Sequence, residues 1–116
     1  MSVVETDNID AIGVDNEMQR VFLSIVDPLF WDDENVHLFT LQEKINTYLF
    51  FIESGELLKA FPDSKGFDIT IELVLMHLPN DAAITFFDKT IQILLDKNIV
   101  FTFGPDKEHG YVEYKK

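Results

Sequence analysis

Apolar residues recur along the chain with two different periods, and each change of period marks a new element. NIDAIGV (8–14) reads as a short strand, and DNEM (15–18) supplies the Asp and Asn of a turn. RVFLSIV (20–26) is rich in β-branched and aromatic residues and reads as a second strand, paired with the first as a hairpin. Pro28 stops it, and residues 28–32 form a connector. From Asp33 to Ser54 the period lengthens. Leu38, Leu41, Ile45, Tyr48, Leu49 and Ile52 recur at three- and four-residue steps, which places them on one face of a helix. Gly55 is a natural stop for it.

Residues 55–66 (GELLKAFPDSKG) read as a loop with a Pro-Asp turn. FDITIELVLMH (67–77) is the clearest strand, with Phe67, Ile69, Ile71, Leu73 and Leu75 alternating. Pro79-Asn80-Asp81 opens a second helix capped by Asn80, whose core face is Ala83, Ile84, Phe87, Ile91, Leu94 and Leu95. IVFTF (99–103) is a fourth strand. The remaining tail is open to two readings, a short edge strand or a loose end.

The order ββαβαβ predicts an α+β two-layer sandwich, with both helices on one face of a mixed sheet. The chain reads as one domain over 1–116, with 1–7 and 105–116 as candidate loose ends. The second sheet face is not uniformly polar. Phe22, Val26, Val74, Met76 and Val100 alternate with the core positions, where a wetted face normally carries polar side chains. These residues form a candidate interface, covered by the tail, by a second subunit or by a partner. Phe39 and Phe50 also lie off the main stripe of the first helix.

Composition narrows the function classes. An apolar fraction of 47% with eleven phenylalanines supplies a core. There is no cysteine, so disulfide and thiolate chemistry are excluded. The first ten residues carry neither the basic stretch nor the apolar core of a signal peptide, and no apolar run approaches the roughly 18 residues of a membrane helix. A cytoplasmic protein without membrane contact is expected. Net charge is −12, and residues 1–34 hold nine acids against one base, Arg20. That field repels nucleic-acid phosphates and steers a basic partner inward.

The densest chemistry is DPLFWDDENVH (27–37), which gathers Asp27, Trp31, Asp32, Asp33, Glu34 and His37. Asp33 and His37, four apart, share a helix face and could hold two sides of a cation. Two ligands are not a site, and His77 and His109 stand at no ligand spacing to another histidine. There is no HExxH, no DxDxDG loop and no phosphate-binding glycine run. Helix-start physics covers the stretch fully. Asp32 or Asp33 caps, Glu34 sits in the first turn and Trp31 packs on the sheet edge. Ser24, Ser54 and Ser64 lack a nucleophile context. Neither metal nor cofactor nor catalytic residue is assigned. Glu53 and Glu56 flank a helix end that disfavours negative charge, with Lys59 and Lys65 nearby.

NIDAIGVD, HLFTLQEKINTYLFFIESGEL and FPDSKGFDITIELVLMHLP, above all LQEKIN, FIESGEL and the Pro-Asp turn, resemble a family of small bacterial proteins catalogued only as a domain of unknown function. The likeness spans nearly the whole chain. It implies a bacterial, intracellular, single-domain protein and brings no activity, cofactor or site residue with it. The expected function is therefore a non-enzymatic protein-binding module. Its acidic surface, with Asp27, Trp31, Asp32, Asp33, Glu34 and His37, would engage a basic partner, as an immunity or antitoxin protein does. The alternatives are a homodimer through the apolar second sheet face, or a small ligand binder with a pocket between the FPDSKG loop and the first helix.

Overall fold

The structure is a computed structural model that describes residues 3–114, without the side chains of Glu34 and Tyr114. Strands β1 (Ala11–Asp15), β2 (Arg20–Asp27), β3 (Asp68–Leu75) and β4 (Ile99–Pro105) lie side by side in the order β1-β2-β3-β4. The β1–β2 hairpin is antiparallel, while β2–β3 and β3–β4 are parallel. The sheet is mixed and the class is α+β, as the element order predicts.

Helix α1 (Glu34–Glu53) bridges β2 to β3, and α3 (Asp81–Leu95) bridges β3 to β4. Both cover the same sheet face. Val21, Leu23, Ile25, Ile71, Leu73, Leu75, Ile99 and Phe101 point to one side and pack against Leu41, Ile45 and Tyr48 of α1 and Ala83, Phe87 and Leu94 of α3. The period of two in the strands thus meets the period of 3.6 in the helices across one core. Among the described residues no helix is long and apolar enough to cross a membrane.

Several expectations need correction. The stretch after Gly55 is not plain loop. It holds a short helix α2 (Glu56–Ala60), which buries Leu57, and a 3-10 turn at Pro62–Ser64. Gly55 sits at φ 89°, a left-handed conformation that breaks α1 from α2. Leu95 is exposed, and Thr90 takes the buried position. Thr90 manages this because its hydroxyl donates to the Phe86 carbonyl at 2.9 Å. Of the candidate loose end 1–7, residues 1–2 lie outside the described residues, and the rest is tied down from Val3. The Val3 amide donates to the Val26 carbonyl at 2.8 Å and the Val3 side chain is fully buried. Among the described residues the tail adds no edge strand. It turns back at an Asp106–Gly110 bridge and reaches a 3-10 turn at Val112–Tyr114, where the Val112 amide donates to the Met76 carbonyl at 2.9 Å.

Candidate functional site

In a parallel sheet, the carboxyl ends of the strands and the helix starts that follow them are where ligands usually sit. Here that edge carries the densest chemistry of the sequence, residues 27–37. The Asp33 side chain caps α1 by accepting from the Val36 amide at 3.2 Å, as its type and place predict. Asp32 accepts from the Asp33 amide at 3.1 Å. Both are exposed. Glu34 opens the helix, and its side chain lies outside the described residues.

Asp27 and His37 are not on that surface. Asp27 is 1% exposed and His37 is 2% exposed, so neither offers a side chain to a partner. They are tied to each other, His37 Nε2 to Asp27 Oδ2 at 2.6 Å. His37 Nδ1 donates to the Phe30 carbonyl at 3.1 Å. A carbonyl only accepts, so Nδ1 carries a proton and one further proton lies between the ring and the carboxylate. Asp27 Oδ1 accepts from the Leu29 amide at 3.0 Å. The pair therefore folds the connector 28–33 back onto the end of β2. Trp31 seals it, stacked on the His37 ring at 3.6 Å and edge-on to Phe87. The indole N–H donates to the His77 carbonyl at 3.4 Å. An Asp–His pair is a chemically able arrangement, but here both side chains are buried under the Trp31 ring.

The metal reading of Asp33 and His37 fails on occupancy. One is engaged as a cap, and the other has both nitrogens bonded inside the fold. Among the described residues no group of three or more His, Cys, Asp or Glu is placed to hold a metal ion. His77 lies beside this cluster, stacked on Phe30 at 4.0 Å, and its Nδ1 meets Glu113 of the tail at 2.9 Å. Glu113 also accepts from the Leu78 amide at 2.6 Å. That amide first, and the His77 contact second, hold the Glu113 carboxyl below its usual value. Among the described residues His109 meets Asp106 of its own turn.

A further cluster escaped the sequence reading. Lys44 is fully buried, and its ammonium donates to the carbonyls of Glu5 and Asn8, each at 2.6 Å, and to Asp10 Oδ1 at 2.7 Å. Asp10 Oδ2 accepts from the Val26 amide at 2.9 Å. The Tyr48 hydroxyl accepts from the Asp10 amide at 2.9 Å and donates to the Ser24 carbonyl. Burial pushes the Tyr48 phenol well above its ordinary value. The signal was available, since Lys44 falls three residues after Leu41 and four before Tyr48, on the apolar stripe itself.

Among the described residues no element covers the second sheet face. Val26 is 38% exposed, Met76 48% and Val100 43%, while Phe22 and Val74 are half-buried. The tail does not lie over them. Residues 104–108 and Gly110 form one wall of a shallow groove of about 1040 Å³ whose floor includes Phe22, Thr70, Glu72, Val74 and Val100. A smaller cleft of about 300 Å³ lies between α1 and α3, lined by Ile45, Leu49, Phe86 and Ile93 among others. Neither cavity includes the 61–66 turn.

The model of a family of unknown function, DUF6572, matches residues 1–107. No curated protein and no solved structure matches the chain.

Proposed function

We propose that this chain, which belongs to the family of unknown function DUF6572, is a non-enzymatic protein-binding module that presents an acidic exterior to a basic protein partner. The observation that carries the reading is where the cations lie. Of nine Lys and Arg, Lys44 is buried against Asp10 and Arg20 sits half-buried on the open sheet face. The carboxyl edge, where α1 and α3 start, carries exposed Asp32, Asp33 and Asp81, and the nearest exposed cation on these helices, Lys89, lies two turns into α3. Such a surface accelerates encounter with a basic protein and discriminates against acidic ones. An immunity or antitoxin role, in which carboxylates occlude a basic active site, is one form of it. The sealed state of the Asp27–His37 pair supports a binding rather than a catalytic use of this edge.

The test starts with the full chain as bait at low and then high salt. The captured protein is then purified and titrated by calorimetry. The partner is expected to be basic, to bind more weakly as salt rises, and to lose about tenfold or more in affinity for an Asp32→Lys/Asp33→Lys variant. Equal affinity for that variant sinks the reading.

A further inference from the structure

The open sheet face carries two charges that have no ion-pair partner among the described residues. Arg20 and Glu72 both line its groove, and among the described residues neither enters an ion pair. The buried Arg20 Nε has no hydrogen-bond acceptor, although Asp15 and Asp68 stand opposite Arg20 on the neighbouring strands. That nitrogen is closed off inside the fold, so an acceptor from outside meets the terminal nitrogens of the guanidinium instead. The register gives their separation. Arg20 pairs with Asp68 and Ser24 pairs with Glu72, so the two charges lie four residues apart along adjacent strands, roughly 13 Å. Midway between them runs the row Gly13, Phe22, Thr70 and Val100.

We propose that the occupant of this face is a second copy of the chain, packed sheet to sheet about a two-fold axis that crosses the strands at the Phe22 row. The charge pattern argues for it. A two-fold axis at that level puts Arg20 of each copy level with Glu72 of the other, one strand aside, about 4.8 Å, within reach of an arginine. One cation and one anion, unpaired and equidistant from the midpoint, complement themselves. The same rotation sets the β1–β2 turn, where Met18 is 60% exposed, beside Val26 and Val74 of the other copy. The Phe22 rings meet near the axis, where Gly13 adds no side chain. The area fits a modest interface. Eight residues of β2 extend about 26 Å and four strands span about 19 Å, roughly 500 Å² per copy, near the lower limit for specific association. This surface is opposite the helix layer, so the dimer and the acidic binding surface stand or fall separately.

Sedimentation velocity on the full chain, from about 1 μM to about 1 mM, tests the proposal. The mass is expected to rise with concentration from monomer to dimer. Arg20→Glu and Glu72→Arg each place like charges together and are expected to weaken the dimer about tenfold or more. Mixed in equal amounts, these two variants regain opposite charges at both contacts and are expected to dimerise with each other. Circular dichroism verifies that each is folded. Val26→Glu, which leaves both charges in place, is expected to abolish the dimer and keeps the test open should Arg20→Glu misfold beside Asp15 and Asp68. A monomer at every concentration, a dimer indifferent to these substitutions, or folded variants that fail to pair when mixed would each overturn it.

Discussion

The Lys44–Asp10 pair and the His77–Glu113 pair hold the two ends of the chain to the same sheet, and water separates their consequences. At the N-terminal end both side chains are sealed, and each ammonium proton has its own acceptor at 2.6 to 2.7 Å. At the C-terminal end the contact is of similar length, 2.9 Å, but the Glu113 side chain is 42% exposed. A charge that has left water must be matched by its partners, so losing one partner is costly, whereas an exposed carboxylate can return to water. Similar contacts therefore act as a determinant of the fold at one end and as a latch at the other.

Removing Lys44 breaks the comparison at its strong end. Lys44→Ala strands the Asp10 carboxylate and the carbonyls of Glu5 and Asn8 without their donor, and leaves a void beside Tyr48. The expected loss is about 3–5 kcal/mol by urea unfolding. Lys44→Met/Asp10→Asn removes both charges and is expected to recover part of that loss. A Lys44→Ala variant within about 1 kcal/mol of the parent would show that the N-terminal segment is not held as described.

The Asp27–His37 pair is buried like the first and joins neighbouring elements like the second, which sharpens the contrast. Asp27→Ala deprives His37 Nε2 and the Leu29 amide of their acceptor, and is expected to cost about 2–3 kcal/mol. Asp27→Asn keeps an acceptor for Leu29 and offers an N–H to a neutral His37, so about half the loss is expected to return. Equal losses for the two substitutions would mean that shape, and not the hydrogen bonds, sets the cost.

These pairs also mark what the sequence could and could not say. The helices and strands were legible because period two and period 3.6 are imposed by which side faces the core, and a register of Leu23, Ile71 and Phe101 is repeated three strands wide. The Asp33 and Asn80 caps were legible because capping is local chemistry. The partners of Lys44 lie 34 to 39 residues away, so only its place on an apolar stripe betrayed it. Asp27 and His37 were singled out as surface groups because polar residues usually face water. Their 10-residue separation spans the connector, and only the fold-back of that connector, bent at 31–33, brings them together and inside. The apolar residues of the open face were found by alternation alone. Whether the tail covers that face was left open by the sequence, because the tail's anchor is a long-range contact, Glu113 bonding to His77 and Leu78 just past the end of β3.

The weak end of the comparison gives the smallest effect and the one that depends on pH. The Leu78 amide and then His77 hold the Glu113 carboxyl below its ordinary value in the folded chain. A depressed carboxylate stabilises the docked tail above the unfolded value of about 4.3 and loses that contribution as pH falls through the lower, folded value. The tail is thus expected to undock in acid before the core unfolds. Glu113→Gln keeps a carbonyl acceptor for Leu78 but removes the charge, so it is expected to reproduce the acid state at neutral pH. Hydrogen exchange reads this directly, because the Leu78 and Val112 amides are both bonded in the docked tail. Both are expected to exchange about threefold faster or more in the variant, with the amides of β2 and β3 unchanged and the melting temperature barely moved. In the parent the same two amides are expected to gain exposure between about pH 5 and about pH 3, once intrinsic exchange is corrected for. Protection of Leu78 that is the same in parent and variant, and flat across that range, would show that the Val112–Met76 backbone contact holds the tail by itself.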